Sequence, residues 1–114
     1  MSSQYSEISV SDFAEIFSQS DSVFLIDVRE TDEYIDGHVP GAIHIPLNEV
    51  PQRVDEFRNP QGGVTYVICK AGGRSANACE YLSQHSIQLI NIAGGTMGWI
   101  MQGHAVVEGS QPSE

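Results

Sequence analysis

Two short runs of β-prone residues constrain this chain more than any other feature. Val23-Phe24-Leu25-Ile26 is apolar without interruption, and Val64-Thr65-Tyr66-Val67-Ile68 is nearly so. A strand with one wet face alternates polar and apolar residues, whereas an unbroken run marks a strand covered on both faces, as in a parallel sheet. Helix-like and strand-like segments alternate around these two runs. Glu7-Ile8 reads as a short first strand. Ser9 reads as an N-cap, with Asp12 three positions on, and Phe13, Ile16 and Phe17 form the apolar stripe of a helix ending near Gln19. Thr31 reads as the cap of a short acidic helix over residues 32–36, which Gly37 stops.

Further along, Ala42-Ile43-His44-Ile45 predicts a brief strand before Pro46. Leu47, Val50, Val54 and Phe57 suit another helix, with Pro51 in its first turn or at a break. A helix-compatible stretch spans residues 75–85, and Gln88-Leu89-Ile90-Asn91-Ile92 predicts a further strand. Gly94-Gly95 then turns the chain into a final helix carrying Met97, Trp99, Ile100 and Met101, and residues 108–114 read as a polar, frayed tail. Strands alternating with helices predict an α/β domain with a mainly parallel sheet, here one domain over residues 1–107. A chain of 114 residues buries about two thirds of its unfolded surface and needs no disulfide to hold it.

The net charge of −10 lies entirely in residues 1–57, and residues 58–114 balance. So acidic a first half argues against nucleic acid or an anionic membrane as direct partner, although it suits a basic protein partner. Residues 1–7 lack a basic segment followed by an apolar one, so no export signal is expected, and no apolar run approaches membrane-span length. Two cysteines without such a signal predict free thiols in the cytoplasm. Cys69 and Cys79 form no C-x-x-C pair and no histidine spacing resembles a zinc site, so neither metal nor cofactor is expected.

Chemistry concentrates at Cys69-Lys70-Ala71-Gly72-Gly73-Arg74-Ser75, between the second buried-type run and a helix start. Parallel sheets form their sites beyond the carboxyl ends of strands, where Cys69, and also Asp27 and Arg29, would lie. Gly72 and Gly73 allow a tight curl or positive φ, and their N–H groups, with those of Ala71 and Arg74, would form an anion nest. With the positive end of a helix added, Cys69 is expected to be a thiolate at neutral pH and hence a nucleophile. Ser75 would cap the helix or hydrogen-bond the sulfur. Arg74 would fix the loop by pairing with a carboxylate, and Lys70 would attract an anion at the mouth. Cys79 falls on the same helical face as Ser75 and Leu82, which reads as a buried, inert thiol. His38 reads as fixing its own turn, and Asp27 and Arg29 as a scaffold pair rather than catalytic helpers. No G-x-x-x-x-G-K-[ST] or G-x-G-x-x-G loop is present, so nucleotide binding lacks its usual motifs.

These residues resemble the rhodanese family, specifically its single-domain sulfurtransferases. Ile26-Asp27-Val28-Arg29-Glu30 with Glu33 and Tyr34 is similar to the family's D-V-R-E-x-x-E-[YF] block. Gly37-His38-Val39-Pro40-Gly41-Ala42 is similar to G-H-I-P-G-A, residues 69–75 to its active-site loop, and Gly94, Gly95, Trp99 and Gly103 to its G-G-x-x-x-W-x-x-x-G close. The resemblance implies a three-layer domain with a five-stranded sheet flanked by helices. It also implies sulfur transfer through a persulfide on Cys69, with Lys70, Ala71, Gly72, Gly73, Arg74 and Ser75 binding substrate and Asp27 and Arg29 in support. The donor would be a small anion such as thiosulfate; the acceptor would be cyanide, a thiol or a sulfur-carrier protein. Two alternatives stand beside it. A cysteine-dependent phosphatase or arsenate reductase would carry C-x-x-x-x-x-R, one residue more than the C-x-x-x-x-R found here. A non-catalytic interaction module would have lost the cysteine that this chain retains.

Overall fold

The computed structural model describes residues 5–20 and 22–113. Residues 1–4, read above for a leader, loop residue Asp21 and the last tail residue, Glu114, lie outside the described residues. Strands β1 (Ser6–Ser9), β2 (Leu25–Asp27), β3 (Ile43–His44), β4 (Thr65–Ile68) and β5 (Leu89–Ala93) alternate with helices α1 (Val10–Gln19), α2 (Thr31–Asp36), α3 (Gly73–Leu82) and α4 (Gly95–Met101). The five strands form one sheet in the order β1-β5-β4-β2-β3, every pairing parallel. The expected α/β class and five-stranded sheet are therefore present.

Both faces are covered, which explains the unbroken apolar runs. Side chains alternate along β4: Val67 and Cys69 point into the cluster containing Ala78, Cys79 and Leu82 of α3, while Tyr66 and Ile68 join the cluster under α1 and α4. On that second face Phe13 packs edge-on against Tyr66 with ring centroids 5.2 Å apart, and Phe17 meets Trp99 edge-on at 5.3 Å. Aromatic pairs at these separations add roughly 0.5–1.5 kcal/mol beyond their area burial. The chain crosses from β2 outward to β3, then returns to lay β4 on the other side of β2. The reversal opens a crevice beyond the carboxyl ends of β2 and β4, which is where ligands bind in such sheets.

Local expectations hold at some positions and fail at others for physical reasons. Ser9 caps α1, its Oγ accepting the Asp12 N–H at 3.1 Å. Thr31 is the first residue of α2 rather than its cap; Glu30 takes that role because the Glu33 carboxylate reaches back to accept the Glu30 N–H at 2.9 Å. The helix expected over residues 47–57 is two 3-10 segments, Leu47–Gln52 and Val54–Phe57, with Pro51 inside the first. A proline lacks the N–H that a continuous α-helix requires, and the tighter turns still bury Val50 and Phe57.

The carboxyl-terminal segment is not frayed up to Pro112. His38 and Val107 exchange backbone hydrogen bonds of 2.9 Å, Gly109 donates to Ile35, and Gly41 donates to Pro112. His38 is fully buried and stacks on Tyr34 with centroids 3.6 Å apart. Its two ring nitrogens lie 2.7 Å from the Tyr34 carbonyl oxygen and 2.9 Å from that of Gln111. The residue thus rivets the terminal segment to α2 as well as fixing its own turn. Replacing it with alanine removes these contacts and opens a cavity, so His38→Ala should destabilise by about 2–4 kcal/mol in urea unfolding. The amides of residues 107–112 should at the same time lose protection from hydrogen exchange.

Candidate active site

Cys69 follows directly on β4, and the alternation of that strand carries its side chain to the α3 face. There the chain must reverse from strand to helix within four residues, 69–72. Gly72 makes that possible at φ 114°, a backbone conformation that L side chains rarely adopt. Its N–H then donates to Cys69 Sγ at 3.1 Å, and the Ser75 hydroxyl donates to the same sulfur at 3.3 Å. Gly73 departs from expectation: it has no positive φ and simply begins α3, with open space where a Cβ would sit.

Burial raises the Cys69 thiol, but the Ser75 hydroxyl and the backbone N–H groups of Ser75, Gly72 and Ala71 outweigh it, so the pKa falls below the ordinary thiol value. The nest therefore draws on residues 71, 72 and 75 where the sequence suggested 71–74. Cys79 is the contrast. Fully buried on the apolar face of α3 with no such donors, its thiol is pushed up to about 12 and stays protonated.

Two ion pairs flank the loop. Arg74 clamps the Glu33 carboxylate of α2 with both guanidinium nitrogens, at 2.7 and 3.0 Å. Asp27, fully buried at the end of β2, accepts from Arg29 Nε at 3.0 and 3.1 Å, from Nη2 at 2.9 Å and from the Arg29 backbone N–H at 3.0 Å. Arg29 Nη2 also donates to the Gly37 carbonyl at 2.7 Å. Every one of these hydrogen bonds is internal, as a scaffold role requires. Lys70 is exposed and forms no ion pair with a described residue.

From below, the start of α4 backs the loop: the Thr96 N–H donates to the Cys69 carbonyl at 2.8 Å and the Met97 N–H to that of Lys70 at 2.9 Å. Gly95 is obligatory here, since a Cβ would lie 2.5 Å from both of those carbonyl oxygens. Sequence reasoning missed two members of the site. Asn91, fully buried in β5, donates to Gly72 O at 3.3 Å and to the Glu7 carboxylate at 3.0 Å, tying the loop to the far edge of the sheet. An amide inside an apolar strand run was the available signal. Thr96 is buried with its hydroxyl unpartnered. Beside the loop lies a cleft of about 340 Å³, whose lining includes Lys70 and Thr96 and, on α4, Met97, Ile100 and Met101. Among the described residues no group of His, Cys, Asp or Glu side chains could hold a metal ion, and no helix is long and apolar enough to cross a membrane.

Residues 9–102 match the family model of the rhodanese-like domain. The chain belongs to the rhodanese family. A sulfurtransferase of Allochromatium vinosum is 30% identical over 102 residues, spanning 89% of this chain and 94% of that protein. The thiosulfate sulfurtransferase PspE of Escherichia coli is 40% identical over 70 residues, spanning 61% of this chain and 67% of its own length. Among solved structures, a rhodanese-related protein of Thermoplasma volcanium superposes with a TM-score of 0.80 at 33% identity, covering 90% of this chain and 98% of that one.

Two groups of this rhodanese site, Glu33 and Cys69, have lowered pKa values, and both are measurable. The Arg74 guanidinium holds the Glu33 carboxyl well down, at about 2. A depressed acid stabilises the fold above its unfolded value, and that contribution is lost as pH falls from about 4.5 towards 2. At full weight the drop corresponds to roughly 3 kcal/mol. With Glu33 and Arg74 side chains 28% and 32% exposed, solvent screening reduces it to roughly 1 kcal/mol. Glu33→Gln should therefore lose about 1 kcal/mol at neutral pH and flatten the acid limb of the stability curve, as read by urea titrations between neutral and acidic pH. Ser75→Ala should raise the Cys69 pKa and slow its alkylation at neutral pH severalfold, with Cys79 remaining unmodified in the folded protein.

Proposed function

We propose that this chain is a sulfurtransferase that carries a sulfane sulfur on Cys69. The observation that carries the reading is a buried sulfur accepting hydrogen bonds from Gly72 N–H and Ser75 Oγ, in a C-x-x-x-x-R loop one residue shorter than that of the phosphatases. In the first half-reaction the Cys69 thiolate attacks the outer sulfur of a donor such as thiosulfate. A new S–S bond forms, the old one breaks, and its electron pair leaves on sulfite. The persulfide anion that results inherits the donors that stabilised the thiolate, which is preorganised electrostatic stabilisation. In the second half-reaction a thiolate or cyanide attacks the outer sulfur, and Cys69 departs as thiolate. Each step is a displacement at the sulfane sulfur in which one nucleophile replaces another, so the electrons balance without an external oxidant or reductant.

Within this reading the residues divide by role. Cys69 is the catalytic group. Ala71, Gly72, Gly73 and Ser75 form or shape the cradle, and Lys70 docks the anionic group that leaves. Arg74, through Glu33, and Arg29, through Asp27, hold the walls of the crevice. The acceptor is a small thiol, cyanide or a sulfur-carrier protein, and the free thiols suit a reducing cytoplasm. The intact cysteine and its donors weigh against a purely interacting module, and the loop length weighs against a phosphatase.

Incubation with thiosulfate should add the mass of one sulfur atom to the intact protein. Cys69→Ser should abolish the gain and Cys79→Ser should leave it. A gain that survives in Cys69→Ser would contradict the assignment, and Cys69-dependent hydrolysis of a generic phosphate ester would favour the phosphatase instead.

A further inference from the structure

One carbonyl oxygen of the cysteine loop is approached by three hydrogen-bond donors. Gly72 O lies 3.1 Å from the Ala76 backbone nitrogen, 3.2 Å from Ser75 Oγ and 3.3 Å from Asn91 Nδ2. A carbonyl oxygen has two lone pairs, so it serves two of these donors well and not the third. The Ala76 N–H belongs to the helical ladder of α3 and has no other partner to turn to. Asn91 and Ser75 therefore compete for the remaining position.

Ser75 has an alternative and Asn91 has none. The Ser75 hydroxyl carries one proton, and Cys69 Sγ, 3.3 Å away, is its other acceptor. Both hydrogens of the Asn91 amide are aimed at oxygens, one at Gly72 O and one at the carboxylate of Glu7, its register partner in β1, at 3.0 Å. Turning the amide over would set its oxygen against two acceptors, which fixes its orientation. That orientation leaves Asn91 Oδ1 buried and unpartnered among the described residues. The side chain is fully buried on the same face of β5 as Leu89, which packs with Ala78, Cys79 and Leu82 of α3. A buried amide with an orphaned oxygen is a poor way to stabilise a strand, so what it supplies is its two N–H bonds.

We propose that Asn91 is a positioning residue: by filling the second lone pair of Gly72 O, it leaves the Ser75 hydroxyl proton to Cys69 Sγ. Without the amide, the hydroxyl would rest on Gly72 O while the thiol is protonated, and ionisation would have to break that bond. With the amide in place, the hydroxyl turns to the sulfur at no such cost. The consequence for catalysis rests on the sulfur-transfer reading above, in which Cys69 is the nucleophile of the first half-reaction and the leaving group of the second. The same proton supports the thiolate in both.

The test is a double-substitution cycle in the Cys79→Ser protein, with the acidity of Cys69 read from the pH profile of its alkylation by iodoacetamide. Asn91→Ala should weaken that acidity by roughly two- to tenfold, the weight of one neutral hydrogen bond. Ser75→Ala should weaken it as well, and adding Asn91→Ala to Ser75→Ala should change nothing more. The charges around the sulfur, Arg74 with its partner Glu33, Lys70, and Glu7 on the Asn91 side, are the same with and without Ser75 and cancel in the cycle. Asn91→Val, better suited to a strand, repeats the measurement if the alanine variant does not fold. No effect of Asn91, or an effect of equal size with and without Ser75, would overturn the proposal. Thiosulfate loading reads the other claim: a protein that gains no sulfur on Cys69 would overturn the sulfur-transfer reading and leave the cycle intact, so the two failures are distinguishable.

Discussion

The hydrogen bonds from Gly72 N–H and Ser75 Oγ to Cys69 Sγ are the interaction on which the rest of this structure depends. A thiolate out of water is costly, and an unpaired one would take up a proton instead. Each hydrogen bond to a charged group returns about 1.5–3 kcal/mol, so two or three donors decide the charge state. Those donors point at the sulfur only because the chain turns from β4 into α3 within four residues. That turn needs Gly72 at positive φ on one side and Gly95 behind it, where any side chain would strike the loop carbonyls. Strand, glycine turn and helix thus form one device, and the sheet order places it at the topological reversal between β2 and β4.

Around this device the charged residues hold shape. Asp27 and Arg29 are almost wholly buried and mutually bidentate, so loss of either partner would strand a charge at a cost of about 3–5 kcal/mol. Arg74 and Glu33 make the same kind of clamp at the half-exposed rim, where it is worth less. With both arginines neutralised by their partners, the positive character of the mouth reduces to Lys70 and the N–H groups of the loop. An acidic protein can in this way present a small site for an anion without a basic surface around it.

Much of this was legible in the sequence because the signals were local. The apolar runs at residues 23–26 and 64–68 gave the parallel sheet, and the spacing from Cys69 to Arg74 gave the loop. Cys79 was readable as inert from its helical face, and burial with a strongly raised pKa bears that out. What escaped were interactions between distant segments. Glu33 looked like one acid among several in a short helix until the fold brought it to Arg74, 41 positions away. Asn91 looked like a polar interruption in a strand, yet it ties Glu7 to Gly72. The terminal residues looked polar and loose because composition carries no trace of the carbonyls that His38 holds. The helix of residues 47–57 failed for a local reason already visible, Pro51, which moved the segment into 3-10 turns.

The central claim is that the loop itself, before any substrate arrives, stabilises a negative charge on Cys69. Thiolate ultraviolet absorbance titrated with pH in the Cys79→Ser protein tests this most directly, since Cys69 is then the sole cysteine. The account predicts that absorbance develops below the pH of an ordinary thiol and vanishes in Cys69→Ser. Absorbance that develops only at the pH of a free cysteine would contradict it.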